Sequence, residues 1–200
     1  RPAPAKARLL PPQRLIFIAG STHPGEEHLL IDCYIEVRKL HPELYLIIAP
    51  RDPERTTEIR AIAAEHNLTV LLRSADEYRP ADMFILDTIG ELVDFYGLAD
   101  IAFVGGSLVK KGGHNPIEPA AMGIPVLFGP DMTDFSEIAD SLIEEGGAMR
   151  VGDLQEMTET LLNLLNSPGQ RIGSGQKAHQ CVLRQSDIIA RHIELIDKLL

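Results

Sequence analysis

Six short runs of this chain are apolar almost from end to end: Leu15 to Ala19 (LIFIA), Leu44 to Ala49 (LYLIIA), Thr69 to Leu72 (TVLL), Met83 to Leu86 (MFIL), Ile101 to Val104 (IAFV) and Pro125 to Phe128 (PVLF). A strand with one wet face alternates polar and apolar residues, whereas a strand apolar on both sides must be covered on both faces, as in a parallel sheet. The segments between the runs are long enough for helices. Two of them carry a helical stripe, Leu29, Cys33, Val37 and Leu40 in one and Ile59, Ile62, Ala63 and His66 in the other. A brief further strand is expected at Ala148 to Val151, with helices over about 135–145, 154–165 and from Pro168 to Leu200. Together these specify an α/β domain with a doubly wound, Rossmann-like parallel sheet. Residues 1–12, with four prolines and no periodicity, read as a linker that follows something else, and 13–200 as the domain. With 44% hydrophobic residues the chain supports one sizeable core.

In such sheets a ligand sits outside the carboxyl ends of the strands, where strand order reverses. Ser21, Arg51, Gly90, Glu91, Gly113, Asn115 and Glu118 all come just after an apolar run, so the fold brings them to one rim. The stretch IAFVGGSLVKKGGHNPIEPA (Ile101 to Ala120) reads as strand, glycine loop and capped helix, with Asn115 as N-cap, Pro116 at the first helical position and Glu118 closing a capping box. Such a turn suits an anion, because a ligand can approach its backbone and meet the helix's free N–H groups. It is neither GxGxxG nor GxxxxGK[ST], so no standard phosphate-loop mechanism transfers. Thr88 and Glu91 repeat the capping-box spacing before a helix expected to reach Ala99, Asp52 and Pro53 start another helix, and Gly97, Gly123 and Gly146 fit helix C-caps.

Alternatives stand beside each candidate. Glu118 is either a ligand-binding carboxylate or only a cap. Arg51 either forks onto a phosphate or carboxylate or pairs with Asp52 or Glu54 on the surface. His23 and His114 either meet a phosphate or sugar hydroxyl or merely support neighbours. Asp131, Asp134 and Glu137 fit a solvated acidic helix start. The net charge of −10 argues against a nucleic-acid or anionic-membrane surface spread over the domain, although Lys110 and Lys111 can hold one phosphate locally. No metal is expected: His23, His28 and His114 lack a carboxylate or cysteine at ligand spacing. Cys33 and Cys181 form no CxxC and no disulfide framework, which fits a reducing compartment. No run is long enough to span a bilayer and no signal peptide is evident, so any membrane contact is expected through another segment.

Taken together, GGSLVKKGGHNPIEPAAMGIPVLFGP (Gly105 to Pro130), AGSTHPGEE (Ala19 to Glu27), APR (Ala49 to Arg51) and DTIGEL (Asp87 to Leu92) resemble, in order, the C-terminal half of 3-deoxy-D-manno-octulosonic acid (Kdo) transferases. The resemblance runs from about Leu15 to the last helix. It implies the two-domain glycosyltransferase B fold, with the donor CMP-Kdo bound by this domain and no separate cofactor. The acceptor, a lipid A precursor, and the general base would belong to the preceding N-terminal domain, at the cytoplasmic side of the bacterial inner membrane. By resemblance Pro50, Arg51, Ile89, Gly90, Glu91, Asn115, Pro116, Ile117 and Glu118 contact the cytidine monophosphate, with Ser21, Gly113 and His114 beside them at the rim. Glu118 would accept from both ribose hydroxyls. Asp52 departs from the family, in which histidine commonly follows Pro-Arg. Other readings are a different nucleotide-sugar transferase or epimerase of the same fold, or a non-catalytic nucleotide-binding module.

Overall fold

The structure, a computed structural model, describes residues 10–12, 14–75 and 79–185 with their side chains and 186–197 as helical backbone. The chain runs β1 (Leu15–Thr22), α1 (Glu26–Arg38), β2 (Leu44–Pro50), α2 (Thr56–Glu65), β3 (Val70–Leu72), β4 (Met83–Ile85) and α3 (Leu92–Tyr96). It continues with β5 (Ile101–Val104), α4 (Ile117–Ala121), β6 (Val126–Phe128), α5 (Ser136–Glu144), β7 (Ala148–Arg150), α6 (Leu154–Asn166) and α7 (Pro168–Asp197). The strands form one parallel sheet in the order β3-β4-β2-β1-β5-β6-β7. From β1 the chain winds outward through β2, then returns to start the other half at β5. Strand order therefore reverses between β1 and β5, and a crevice opens beyond their carboxyl ends.

Because side chains alternate across a strand, each apolar run feeds two cores. Phe17, Ala19, Leu46, Ile48 and Phe103 point to the face covered by Leu30, Tyr34 and Val37 of α1 and by Met157, Leu161 and Leu164 of α6. Ile16, Ile18, Ile47, Phe84 and Ala102 point the other way, against Phe95 and Tyr96 of α3. Val104, Val126 and Phe128 extend that second layer toward Ala178 and Cys181 of α7. Each fully buried Val, Leu, Ile, Phe or Met side chain among these contributes about 1.5–3 kcal/mol of transfer free energy. The doubly wound sheet expected from the apolar runs is thus present, with covered faces on both sides.

Several local expectations change. Leu40 is 70% exposed, because α1 ends at Arg38 and Leu40 falls in the turn beyond it. His66 is exposed as well, sitting at the C-cap of α2 instead of on its buried stripe. The helix expected to reach Ala99 stops at Tyr96, and Gly97 follows it in right-handed conformation. Gly123 and Gly146 do adopt the left-handed conformation that suits a helix end. Asp52 caps as expected, accepting from Glu54 N at 3.0 Å, but it opens a 3₁₀ turn that leads into α2. Cys33 and Cys181 are free, buried thiols, and burial pushes the Cys33 thiol up to about 11. Of the proline-rich start, residues 1–9 lie outside the described residues, and Leu10 is buried against the α3 side of the core. The middle of the polar connection after β3 and the last three residues expected in α7 also lie outside them.

Candidate functional site

The rim is built by tying strand ends together. Arg51 N donates to Thr22 O at 3.0 Å and Gly105 N to Gly20 O at 2.8 Å, so the ends of β2 and β5 both hang on β1. The approach at residue 105 is so close that a Cβ there would land on the Ser21 carbonyl, which only glycine avoids. Ser21 itself takes a left-handed φ of 56°, a conformation few residues other than glycine adopt.

Two glutamates of α1 shape the loops beyond these strand ends. Glu26 is fully buried, and its carboxylate accepts from the backbone N–H groups of His23 (2.9 Å), Gly106 (2.8 Å), Ser107 (3.1 Å) and Leu108 (3.0 Å). A single side chain thus folds the β1 loop and the glycine loop after β5 around one anion. Ser107, also buried, passes the constraint on: its hydroxyl donates to Val104 O and accepts from Gly129 N at 2.7 Å, reaching the end of β6. Glu27 is equally buried and accepts from Thr22 Oγ1 at 2.8 Å and from the guanidinium of Arg55.

Ser21, Pro50, Arg51, Thr88, Ile89 and Gly90 line a cleft of about 130 Å³ at this rim. Five of the residues singled out in the sequence are therefore brought together, from the ends of β1 and β2 and the loop after β4. Arg51 is exposed, and no ion pair joins it to Asp52 or Glu54. Ile89 is 86% exposed. Glu91 follows them along the loop, but its carboxylate is taken by Arg73 at 3.1 Å and by the Thr88 hydroxyl, so only its backbone is open to a ligand through that loop.

The second group, Gly113 to Glu118, comes from the β5 loop. Gly113 closes that loop with a φ of 74°, donating to Gly106 O at 3.0 Å. Asn115 Oδ1 accepts from Ile117 N at 3.0 Å, but it does so from just outside the N-cap position expected for it. The box with Glu118 is not formed: the carboxylate meets the side-chain amide of Asn115 at 3.4 Å instead of its backbone N–H, and Pro116 takes the N-cap position. α4 is only five residues long and packs against α3, which brings Glu118 near the buried Tyr96. Asp131, expected to be a solvated helix start, accepts from Gly112 N at 2.9 Å and from the Thr133 hydroxyl, so it braces the glycine loop.

His23 and His114 face each other across the crevice, Nε2 to Nε2 at 2.8 Å with the ring planes within 6° of parallel. Burial holds both imidazoles below their usual value; Lys111 and Arg55 add to this at His23, and His23 and Arg51 add to it at His114. Glu26 and Glu27 oppose it at His23, and Asp134 opposes it at His114. Exposed Lys110 and Lys111 stand on the same loop. Among the described residues no group of three or more His, Cys, Asp or Glu is placed to hold a metal ion.

The residues that sequence reasoning missed are Thr22, Glu26, Glu27, Arg55 and Ser107. The pair Glu26-Glu27 opens a helix directly after Gly25, and acidic residues are common in a first turn, so the pattern is indistinguishable from ordinary dipole matching. The available signal was that these two acids directly follow a glycine just past a strand end, where a backbone loop has orphan N–H groups to satisfy.

No family model matches the chain. It is 34% identical over 186 residues to a 3-deoxy-D-manno-octulosonic acid transferase of Haemophilus influenzae. The chain belongs to the Kdo transferase family. The alignment covers 92% of this chain and 44% of the Haemophilus protein, so the chain spans less than half the length of that Kdo transferase. The C-terminal CMP-Kdo binding domain of WaaA from Acinetobacter baumannii superimposes with a TM-score of 0.81 at 29% identity, over 88% of this chain and 93% of that domain. The C-terminal domain of a group 1 glycosyl transferase, LpcC from Francisella tularensis, superimposes at 15% identity with a TM-score of 0.63 over 90% of each chain, a likeness of fold. This Kdo transferase family member thus has the architecture of a glycosyltransferase B C-terminal domain. Among the described residues no helix is long and apolar enough to cross a membrane.

Proposed function

We propose that this chain is the donor-binding domain of an enzyme that transfers Kdo from CMP-Kdo to a lipid A precursor. The observation that carries the reading is the cleft beside the β1/β5 crevice, where Arg51 and the Ile89-Gly90 backbone meet at the strand ends of a fold shared with a CMP-Kdo binding domain. The nucleotide base and ribose are assigned to Ile89, Gly90 and Glu91 on one side and to Asn115 through Glu118 on the other. Among the described residues the carboxylate of Glu118 has one weak partner, at 3.4 Å, which leaves lone pairs for the two ribose hydroxyls. The phosphate is assigned to Arg51, whose planar fork matches two phosphate oxygens.

Transfer replaces the bond from the Kdo anomeric carbon to the phosphate oxygen by a bond to an acceptor oxygen, and CMP leaves carrying the electron pair. Charge grows on the departing phosphate, and cations fixed at the rim before the reaction stabilise that growth most. Arg51 and the lysines of the glycine loop fill that role, so the reading calls on neither a metal nor another cofactor. The base that deprotonates the acceptor is assigned to the acceptor-binding half of such transferases, together with lipid and inner-membrane contact on its cytoplasmic side.

Calorimetric titration with CMP and UMP tests the assignment. CMP binding at least tenfold tighter than UMP supports a CMP-sugar donor. Equal binding of the two favours a different nucleotide-sugar enzyme of this fold, and binding of neither overturns the donor reading.

A further inference from the structure

The contact between His23 and His114 lies where strand order reverses, with one ring carried by the loop after β1 and the other by the loop after β5. Two neutral imidazoles meeting Nε2 to Nε2 at 2.8 Å need one N–H and one lone pair there. The tautomers are then determined: one ring has an N–H at Nδ1 and the other a lone pair at Nδ1. Neither Nδ1 has a hydrogen-bond partner among the described residues. One added proton is accommodated at the free lone pair, leaving the shared bond intact and giving both rings an Nδ1–H. A second proton would set two N–H groups head to head, so the joined pair carries a charge of zero or one and titrates as a single group.

The surroundings set which state prevails. From α1 the buried Glu26 and Glu27 favour the charged form, as does Asp134 from the turn before α5. Lys111 on the β5 loop, Arg55 before α2 and Arg51 at the end of β2 oppose it, as does burial of the rings. The cations are therefore also what a bound anion would neutralise. Arg51 is tied through its backbone to Thr22, the residue before His23, so an anion seated on Arg51 arrives beside the pair.

We propose that His23 and His114 form a one-proton dyad that becomes charged when the donor's phosphate settles at the crevice, so that donor binding draws one proton from solvent. The proposal rests on the donor reading above and adds to it a second, inducible cation for the leaving phosphate. The proton comes from bulk water and stays on imidazole, and no bond is made or broken. In this arrangement the empty site avoids stacking a third positive charge on Arg51 and Lys111, and the filled site gains one when there is an anion to face it.

The measurement is an NMR pH titration of the two imidazole Cε1–H resonances in the 200-residue chain, assigned with His23→Gln and His114→Gln. It is run free, with cytidine, and with the methyl ester of cytidine 5′-monophosphate, whose phosphodiester keeps a single fixed charge across the range in which imidazole titrates. The expected result is one shared midpoint that rises by about one pH unit or more with the methyl ester and does not move with cytidine. The linked sign is that methyl ester affinity falls as pH rises from the free-state midpoint to the bound-state midpoint, by up to about tenfold for each pH unit between them. The double variant His23→Gln, His114→Gln, with its fold checked by its amide spectrum, should bind the methyl ester with pH-independent affinity. Tight methyl ester binding with unmoved imidazole midpoints overturns the dyad and leaves the donor site standing. Methyl ester binding no tighter than cytidine overturns the phosphate assignment, and the dyad falls with it.

Discussion

Arg55 forks onto Glu27, with Nη1 2.6 Å from Oε1 and Nη2 3.2 Å from Oε2, and the glutamate beneath it is wholly buried. The pair joins the start of α1 to the turn before α2, and Thr22 at the end of β1 completes it. Removing one member of a buried ion pair leaves an uncompensated charge, which costs about 3–5 kcal/mol. Arg55→Met should therefore lower stability in urea by that order. Adding Glu27→Met should recover much of the loss, since two apolar side chains leave no orphan charge. A double variant as unstable as the sum of the singles would show that the charges matter individually.

Glu26 serves the glycine loop in a different way. Its carboxylate accepts four backbone N–H bonds, and an amide in its place offers one oxygen and turns N–H groups toward N–H donors. Glu26→Gln should cost about 1.5–3 kcal/mol. Amide exchange should speed up at Gly106, Ser107 and Leu108 more than in β1 or β2. Uniform acceleration throughout the chain would mean that the carboxylate supports global stability and not this loop.

Gly20 lacks a side chain because the Tyr96 hydroxyl occupies the place where a Cβ would stand. Tyr96 is almost wholly buried between α3 and the sheet and has little room to withdraw. Gly20→Ala should thus destabilise by about 1–3 kcal/mol through overpacking. Pairing it with Tyr96→Phe should relieve part of that loss, because the nearest clashing atom is gone. Additive losses in a thermal melt would place the strain elsewhere.

The contrast between these residues and the sheet explains what was legible in the sequence. Strand after strand was readable because burial on both faces leaves a continuous apolar run, and the rim was readable with them because parallel topology sends every strand end to one edge. Ser21, Pro50, Arg51, Ile89 and Gly90 could therefore be placed at one rim from the strand pattern and the family motifs, and they share one cleft. Glu26, Glu27 and Arg55 could not, because a buried carboxylate and a helix-start carboxylate are written with the same letter, and only the packed loop shows which is which. The short α4 misled for a related reason. Asn115, Pro116 and Glu118 have the spacing of a capping box, yet the glutamate reaches the asparagine side chain and not its backbone.

That geometry bears on Glu118. With one long hydrogen bond to Asn115, its carboxylate contributes little to the helix start and keeps its acceptor capacity. Glu118→Gln should weaken CMP more than 2′,3′-dideoxy-CMP, by about 1.5–3 kcal/mol, because only the former offers hydroxyl donors to a charged acceptor. Equal weakening of both ligands in calorimetry would remove Glu118 from the ribose and leave it a local role in α4.

Arg51 provides the sharpest separation between a structural and a functional role. Its backbone N–H is committed to Thr22, but its side chain is exposed in the cleft and makes no ion pair with the acids beside it. A structural arginine would resist replacement through its side-chain partners; this one has a side chain to spare for a ligand. Lysine preserves the charge while losing the planar fork that matches two phosphate oxygens. Arg51→Lys should accordingly reduce CMP affinity by about 1–2 kcal/mol, with cytidine binding and the urea midpoint nearly unchanged. In an enzyme containing both halves, turnover should fall further than donor affinity, because negative charge on the phosphate is greater in the transition state than in the bound donor. If titrations show that both ligands weaken equally, or that neither does, the phosphate rests on Lys110, Lys111 or the α4 end of the rim instead.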